Sequence, residues 1–123
     1  MEGYTTTIRF TSKELSPKER VAIKQSSDAI SLDEATKNGN VEFTPAFYAI
    51  LDIHNENGED KDYTKYVVVD IDGKKYVTGS KSFFTAFEEI FTEMNGETDY
   101  KIVVFRKPSK NYKGKEFLSC GII

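Results

Sequence analysis

The 123-residue chain contains one cysteine, one histidine and no tryptophan. A lone Cys120 cannot form an internal disulfide or supply a cysteine cluster for zinc, so the chain fits a reducing compartment. No apolar run approaches the ~18 residues needed to cross a bilayer, and the first residues lack the basic-then-apolar layout of a signal peptide. These absences predict a soluble, cytoplasmic protein with no membrane partner.

Groups that could support catalysis are also scarce. His54 falls in a predicted turn and Cys120 in the last apolar strand, far apart along the chain, so a Cys/His dyad is not expected. The glycines stand singly at turns and form no phosphate-binding loop. Asp70 and Asp72 could hold a divalent ion, but Asp72-Gly73 is explained by a tight hairpin turn. The sequence therefore predicts no enzyme, no metal and no cofactor.

What the chain does contain is enough for one domain over residues 1–123, with 38% hydrophobic and 13% aromatic residues. Residues 1–40 read as an N-terminal extension with a short strand over 5–10 and two short helices. Ser16-Pro17-Lys18-Glu19 and Ser31-Leu32-Asp33-Glu34 both have the spacing of a capping box. Because few large apolar side chains lie between 11 and 40, we expect this segment to pack on the surface of the domain or to move partly.

From Val41 onward the pattern predicts strands at 41–53, 63–71 and 74–78. A stripe of phenylalanines at spacings of three and four then predicts one amphipathic helix, ended by Asn95-Gly96. Two further strands follow at 100–105 and 117–122. Three strands, one helix and two strands are the order of the OB-fold, a five-stranded Greek-key barrel, and other α+β sandwiches share this order. The predicted fold is therefore mainly β, an OB-fold core over 41–123 with its helix between the third and fourth strands.

Charge is unevenly distributed, although the net charge is only -3. Residues 52–72 carry seven acidic side chains and two lysines, whereas residues 106–115 carry five basic side chains and no acid. In an OB-fold the loop between strands four and five borders the oligonucleotide-binding face. The sequence therefore predicts phosphate contacts from Arg106, Lys107, Lys110, Lys113 and Lys115. The alternative is a solvated hairpin tip.

Tyrosines are predicted to complete this surface. If the strand faces rich in Val, Leu, Ile and Phe look inward, Tyr48, Tyr66 and Tyr76 share the opposite, exposed side. Exposed rings on a sheet can stack on unpaired bases, and Tyr112 in the basic loop is the best single candidate. The alternative is that each tyrosine is an ordinary cross-strand partner.

Two segments, 76–83 (YVTGSKSF) and 108–120 (PSKNYKGKEFLSC), resemble small single-stranded DNA-binding proteins of bacteriophages and prophages of Gram-positive bacteria. The likeness spans about residues 31–123. It implies an OB-fold that coats single strands during phage DNA replication or recombination in a bacterial host. Phage or host replication and recombination proteins are the further partners that it implies.

The sequence thus predicts a non-enzymatic protein that binds single-stranded DNA with little sequence preference. The alternative function is an OB-like adaptor that binds a protein and makes no nucleic-acid contacts. A homodimer is also conceivable through the 41–53 strand, if that strand lies at a sheet edge.

Overall fold

The computed structural model describes residues 4–25, 28–56, 62–109 and 114–123 and is mainly β. Its strands are β1 (Tyr4–Thr11), β2 (Ile30–Ser31), β3 (Val41–Phe43), β4 (Pro45–Asn55), β5 (Asp62–Asp70), β6 (Lys75–Thr78), β7 (Ile102–Pro108) and β8 (Glu116–Ile122). Its helices are α1 (Pro17–Lys24), α2 (Leu32–Ala35) and α3 (Lys81–Met94), with a 3-10 turn over Thr36–Asn38 after α2. None of these helices is long and apolar enough to cross a bilayer.

The strands form two sheets. The larger sheet has the order β1-β4-β5-β6-β2, and the smaller has the order β3-β7-β8. The chain crosses from one sheet to the other at Thr44, whose buried hydroxyl donates to the carbonyl of Tyr100. Pro45 follows at a register irregularity in the pairing of β4 with β5, as expected for a proline at a bulge.

The barrel predicted from the strand order is not closed in the described residues. Closing an OB-fold would require the third and fifth barrel strands, here β6 and β8, to pair with each other. Instead β2 lies parallel to β6, pairing Ile30 with Tyr76, while α3 packs against β8. The mainly β class and the element order are confirmed, whereas a closed barrel is not.

The helices begin where their capping residues predict. Ser16 and Glu19 form the complete capping box of α1, with Pro17 in its first turn. The hydroxyl of Ser80 accepts the backbone N–H of Phe83 at 3.2 Å and starts α3. At the β5–β6 turn, the Asp70 carboxylate accepts the backbone N–H groups of Asp72 and Lys74, 2.9 Å each. Local chemistry therefore fixes these boundaries.

The described part of residues 4–40 contributes a strand and several side chains to the buried core, whereas the sequence predicts that residues 11–40 pack on the surface or move partly. β1 pairs with β4 over most of its length. Leu15, Ile23 and Leu32 are all buried. Most of the long strand predicted over 41–53 is correspondingly not at an edge: β4 lies between β1 and β5, and within 41–53 only β3 is an edge strand of the described sheets. A dimer through that strand would require β1 to be displaced.

Candidate nucleic-acid interface

The tyrosines predicted to form an exposed platform are buried, so that prediction is wrong. Tyr48, Tyr66 and Tyr76 are 6%, 9% and 6% exposed. The Tyr66 ring stacks on Phe84 of α3 at 4.3 Å between centroids, and the Tyr76 ring stacks on Phe43 at 4.2 Å. No base can reach rings that are already covered on this side of the sheet.

The physical reason lies in what covers the sheet. α3 and the smaller sheet pack on the side that carries these tyrosines, and phenylalanines of α3 contact Tyr48 edge-on and Tyr66 face-on. The phenol oxygens keep polar partners at the margin of the core: Tyr48 donates to Glu88 at 3.2 Å and Tyr76 to Asp70 at 3.3 Å. Burial, reinforced by Glu88, raises the pKa of Tyr48 to about 12.

The other side of the larger sheet is covered as well. Leu15 and Ile23, from the N-terminal segment, join the buried cluster formed by Leu51, Val67 and their neighbours. Lys75 of β6 holds α1 against the sheet, because its ammonium donates hydrogen bonds to the carbonyl oxygens of Ala22 and Gln25, 2.8 Å each. In an OB-fold, the face of strands two and three is the usual oligonucleotide platform. Here the N-terminal segment occupies the corresponding outer face of β5 and β6.

An open face remains on the β7–β8 hairpin. The antiparallel register places Phe105 opposite Ser119 and Lys107 opposite Phe117. Ile102, Val104, Leu118 and Cys120 point to the buried side, so the alternating residues point away from it. We call this outer side the hairpin face; it consists of Val103, Phe105, Lys107, Phe117, Ser119 and Gly121.

Two aromatic rings lie on the hairpin face next to a cation. Phe117 is 38% exposed, Phe105 is partly buried and Lys107 is exposed. The Phe105 ring lies against Gly121, where an added Cβ would come within 3.9 Å of it. Ser119 and Gly121 are small, so they leave the flanks of both rings open. The two phenylalanines are diagonal neighbours across the strands, about 7–8 Å apart.

The cations of the hairpin are only partly arranged as predicted. Lys115 is exposed, and its carbonyl accepts the backbone N–H of Ser109 at 2.8 Å, which continues the ladder by one step beyond the strands. Lys110, Tyr112 and Lys113 lie outside the described residues. None of the described carboxylates is within salt-bridge distance of Lys107 or Lys115. Both ammonium groups are therefore available to an anion.

Arg106 differs from the other predicted phosphate contacts. It points to the opposite side from Lys107, and its guanidinium donates from Nε to Thr36 Oγ1 at 3.1 Å and from Nη2 to the carbonyl of Asp33. These bonds connect β7 to α2 and to the turn that follows it. Arg106 is thus placed as a structural link rather than as a member of the hairpin face.

The acidic side chains of β4 and β5 are largely paired with basic side chains. Arg9 binds Asp52, with Nε at 3.0 Å from Oδ2, and His54 Nδ1 lies 2.7 Å from Asp62 Oδ1. The hydrogen bond to Asp62 raises the pKa of His54. His54 lies inside β4 rather than in a turn, beside an open concavity of about 490 Å³. Arg9, Asp52, His54 and Asp62 all line this concavity, so its charged side chains are hydrogen-bonded to one another.

The side chains that most often hold metal ions are dispersed in the part of the chain that the structure describes. No three His, Cys, Asp or Glu side chains there are arranged to hold a metal ion. Burial raises the pKa of Cys120 to about 12, so the thiol stays protonated and unreactive at neutral pH. Cys120 is a small buried apolar residue, as predicted.

The sequence analysis did not single out Phe105 and Phe117 as candidate residues of an exposed surface. The signal was present: both alternate with buried positions in the last two strands, and a simple hairpin register places them with Lys107. No protein-family model matches the chain, and neither a curated protein nor a solved structure matches it. The resemblance to phage single-stranded DNA-binding proteins stays a prediction from the sequence.

Proposed function

We propose that the protein binds single-stranded DNA through the hairpin face. The observation that carries this proposal is the open surface on which Phe105 and Phe117 lie beside Lys107, with Lys115 at the adjoining end. A ring exposed on a strand can stack on an unpaired base, at about 1–3 kcal/mol per base and with little regard to sequence. The neighbouring lysines attract the phosphates.

The sequence has Lys110, Tyr112 and Lys113 between β7 and β8, outside the described residues, and these are the further candidate contacts. Each phosphate neutralised on a single strand contributes about 0.7 to the slope of log affinity against log salt. Contacts from Lys107 and Lys115 alone give a slope of about -1.4, and all four lysines give about -2.8. Duplex DNA of equal length should bind much more weakly, because its bases are stacked inside the helix.

Fluorescence polarisation with a labelled oligo-dT at several salt concentrations tests the proposal. We expect a salt slope in that range, and we expect Phe117→Ala to weaken binding by about 1–3 kcal/mol. Phe10→Ala is the matched control, since Phe10 is an exposed strand phenylalanine outside the hairpin. Equal losses in the two variants would argue against stacking on the hairpin face.

A second pair of variants separates local charge from total charge. Lys107→Ala with Lys115→Ala should make the salt slope shallower, whereas Lys18→Ala with Lys24→Ala removes the same charge from α1 and should leave it unchanged. If duplex DNA bound as tightly as single-stranded DNA, the interaction would be general charge attraction and not base stacking. Absence of oligonucleotide binding at low salt would instead favour the protein-binding adaptor.

A further inference from the structure

A second surface, remote from the hairpin face, has the features of a docking groove. It lies between the C-terminal half of α3 and the end of β8, with a volume of about 280 Å³. Its floor is formed by Ile90, Met94 and Ile122. Ile122 is 50% exposed, although it continues the buried side of β8. The core side of this strand therefore ends in an apolar surface that nothing in the described chain covers.

The rim of the groove is acidic. Glu89 and Glu93 line it one helical turn apart on α3. From residue 88 to 100 the chain has five acidic residues and no lysine or arginine. None of the described basic side chains pairs with either rim carboxylate. An occupant of this groove needs an apolar anchor flanked by cations.

The chain itself presents such a surface on the hairpin face. Phe117 is the exposed apolar anchor, Lys107 lies directly across the ladder from it, and Lys115 stands two positions before it. The charges of this surface are opposite to those of the rim. Two lysines facing two glutamates would pair charges that have no partner in the described part of a single chain.

One molecule cannot join these two surfaces within itself. Phe117 and Ile122 are five residues apart on β8, a distance of about 17 Å along an extended strand. An odd separation also places their side chains on opposite faces of the sheet. The anchor and the groove therefore face different directions and are free to meet those of another copy.

We propose that a second copy of this chain inserts Phe117 into the α3–β8 groove, with its Lys107 and Lys115 against Glu89 and Glu93. The contact joins two different surfaces, so it leaves one free groove and one free hairpin at the ends of each pair. Association is head-to-tail, and a contact built on one apolar anchor and two ion pairs belongs to the weak, transient class. It goes beyond the proposed function, because it needs no nucleic acid.

Sedimentation velocity of the purified chain, without nucleic acid, tests the proposal. We expect the weight-average sedimentation coefficient to rise with protein concentration at low salt and to fall back toward the monomer value at high salt. Glu89→Lys with Glu93→Lys should weaken association roughly tenfold or more, because like charges then face each other. Lys107→Glu with Lys115→Glu should do the same from the other side.

Mixing these two variants is the decisive step. Copies of the same variant repel each other. In the mixture, the lysine-bearing hairpin of the groove variant fits the glutamate-lined groove of the hairpin variant. The glutamate-bearing hairpin of the hairpin variant likewise fits the lysine-lined groove of the groove variant. We expect the mixture to associate where neither variant does alone, which also shows that both are folded. Glu14→Lys with Glu34→Lys is the control, since these exposed glutamates lie outside the groove.

A wild-type chain that stays monomeric at low salt and high concentration would overturn the proposal, as would a mixture that fails to associate. Association that ignores both charge reversals would assign it to another surface. Oligo-dT should dissociate the assembly if the hairpin also binds DNA. Only this last expectation rests on the proposed function. If the chain assembles but does not bind DNA in the titration, the assembly proposal holds and the proposed function fails.

Discussion

Two sets of strand-borne aromatic rings differ in what covers them. Tyr48, Tyr66 and Tyr76 lie on the larger sheet beneath α3 and the smaller sheet, at most 9% exposed. Phe105 and Phe117 lie on the outer side of the smaller sheet, where no described helix or strand packs over Phe117. The tyrosines carry the polar atom that suits an exposed position, yet the phenylalanines are the ones left open.

The difference shows that ring polarity does not decide which rings reach solvent. Alternation along a strand fixes which side chains share a face. It does not say whether a helix or a second sheet will cover that face. In this molecule α3 covers one side of the larger sheet and the N-terminal segment covers the other, so both faces of β5 are buried over residues 66–70.

The largest expected effect comes from opening the tyrosine cluster. Tyr66→Ala should lower the free energy of unfolding by about 3–5 kcal/mol, because it leaves a cavity against the stacked Phe84 ring. Phe117→Ala should lower it by less than about 1 kcal/mol, since that ring is already partly in water. Urea unfolding followed by circular dichroism measures both. Similar losses in the two variants would erase the contrast between the regions.

A somewhat smaller effect tests why the outer side of the larger sheet is closed. Ile23→Ala should cost about 2–4 kcal/mol, because Ile23 is buried against the sheet. Val21→Ala, two positions away on α1 and 57% exposed, should stay within about 0.5 kcal/mol. Urea unfolding of the pair is the measurement. An Ile23→Ala variant as stable as wild type would mean that α1 is only loosely attached to the sheet.

The smallest effect concerns pH. The pKa of Tyr48 is raised from about 10 to about 12, so the unfolded phenol ionises before the folded one. The stability that depends on neutral Tyr48 is therefore fully present below about pH 10 and is lost as pH rises toward about 12. Tyr48→Phe should make this alkaline loss shallower, while Tyr76 and Tyr100, whose pKa values burial also raises, keep part of it. Unfolding curves at about pH 9 and about pH 11 compare the variants; equal pH dependence would contradict the assignment.

Much of the secondary structure was predictable because its signals are local. The capping residues Ser16 and Ser80 sit within three residues of the N–H groups that they accept. The phenylalanine spacing of α3 and the hairpin glycine at Gly73 are equally local. The candidate site was predictable only in part. The cationic hairpin between β7 and β8 is the one that the sequence predicts, but the Arg106 side chain points away from the hairpin face.

The remaining errors arise from contacts between distant segments. Nothing within 41–53 signals that β1, some forty residues earlier in the chain, pairs along β4 and removes its edge. The bulge at Pro45 also interrupts the alternation, so Phe43 and Tyr48 belong to the same buried cluster although the sequence pattern assigns them to opposite faces. The pairing of β2 with β6, in place of β8, is another such contact.

The sequence by itself determined where the helices and most strands begin and end, which side chains alternate, and where the positive charge concentrates. The tertiary structure decided which faces are covered, and hence that Tyr48, Tyr66 and Tyr76 are core residues while Phe117 stays open. The physical reason is the separation along the chain over which each interaction acts. Capping and periodicity act through hydrogen bonds and side-chain directions within a few residues, whereas burial depends on which distant element gains most by excluding water from a given face.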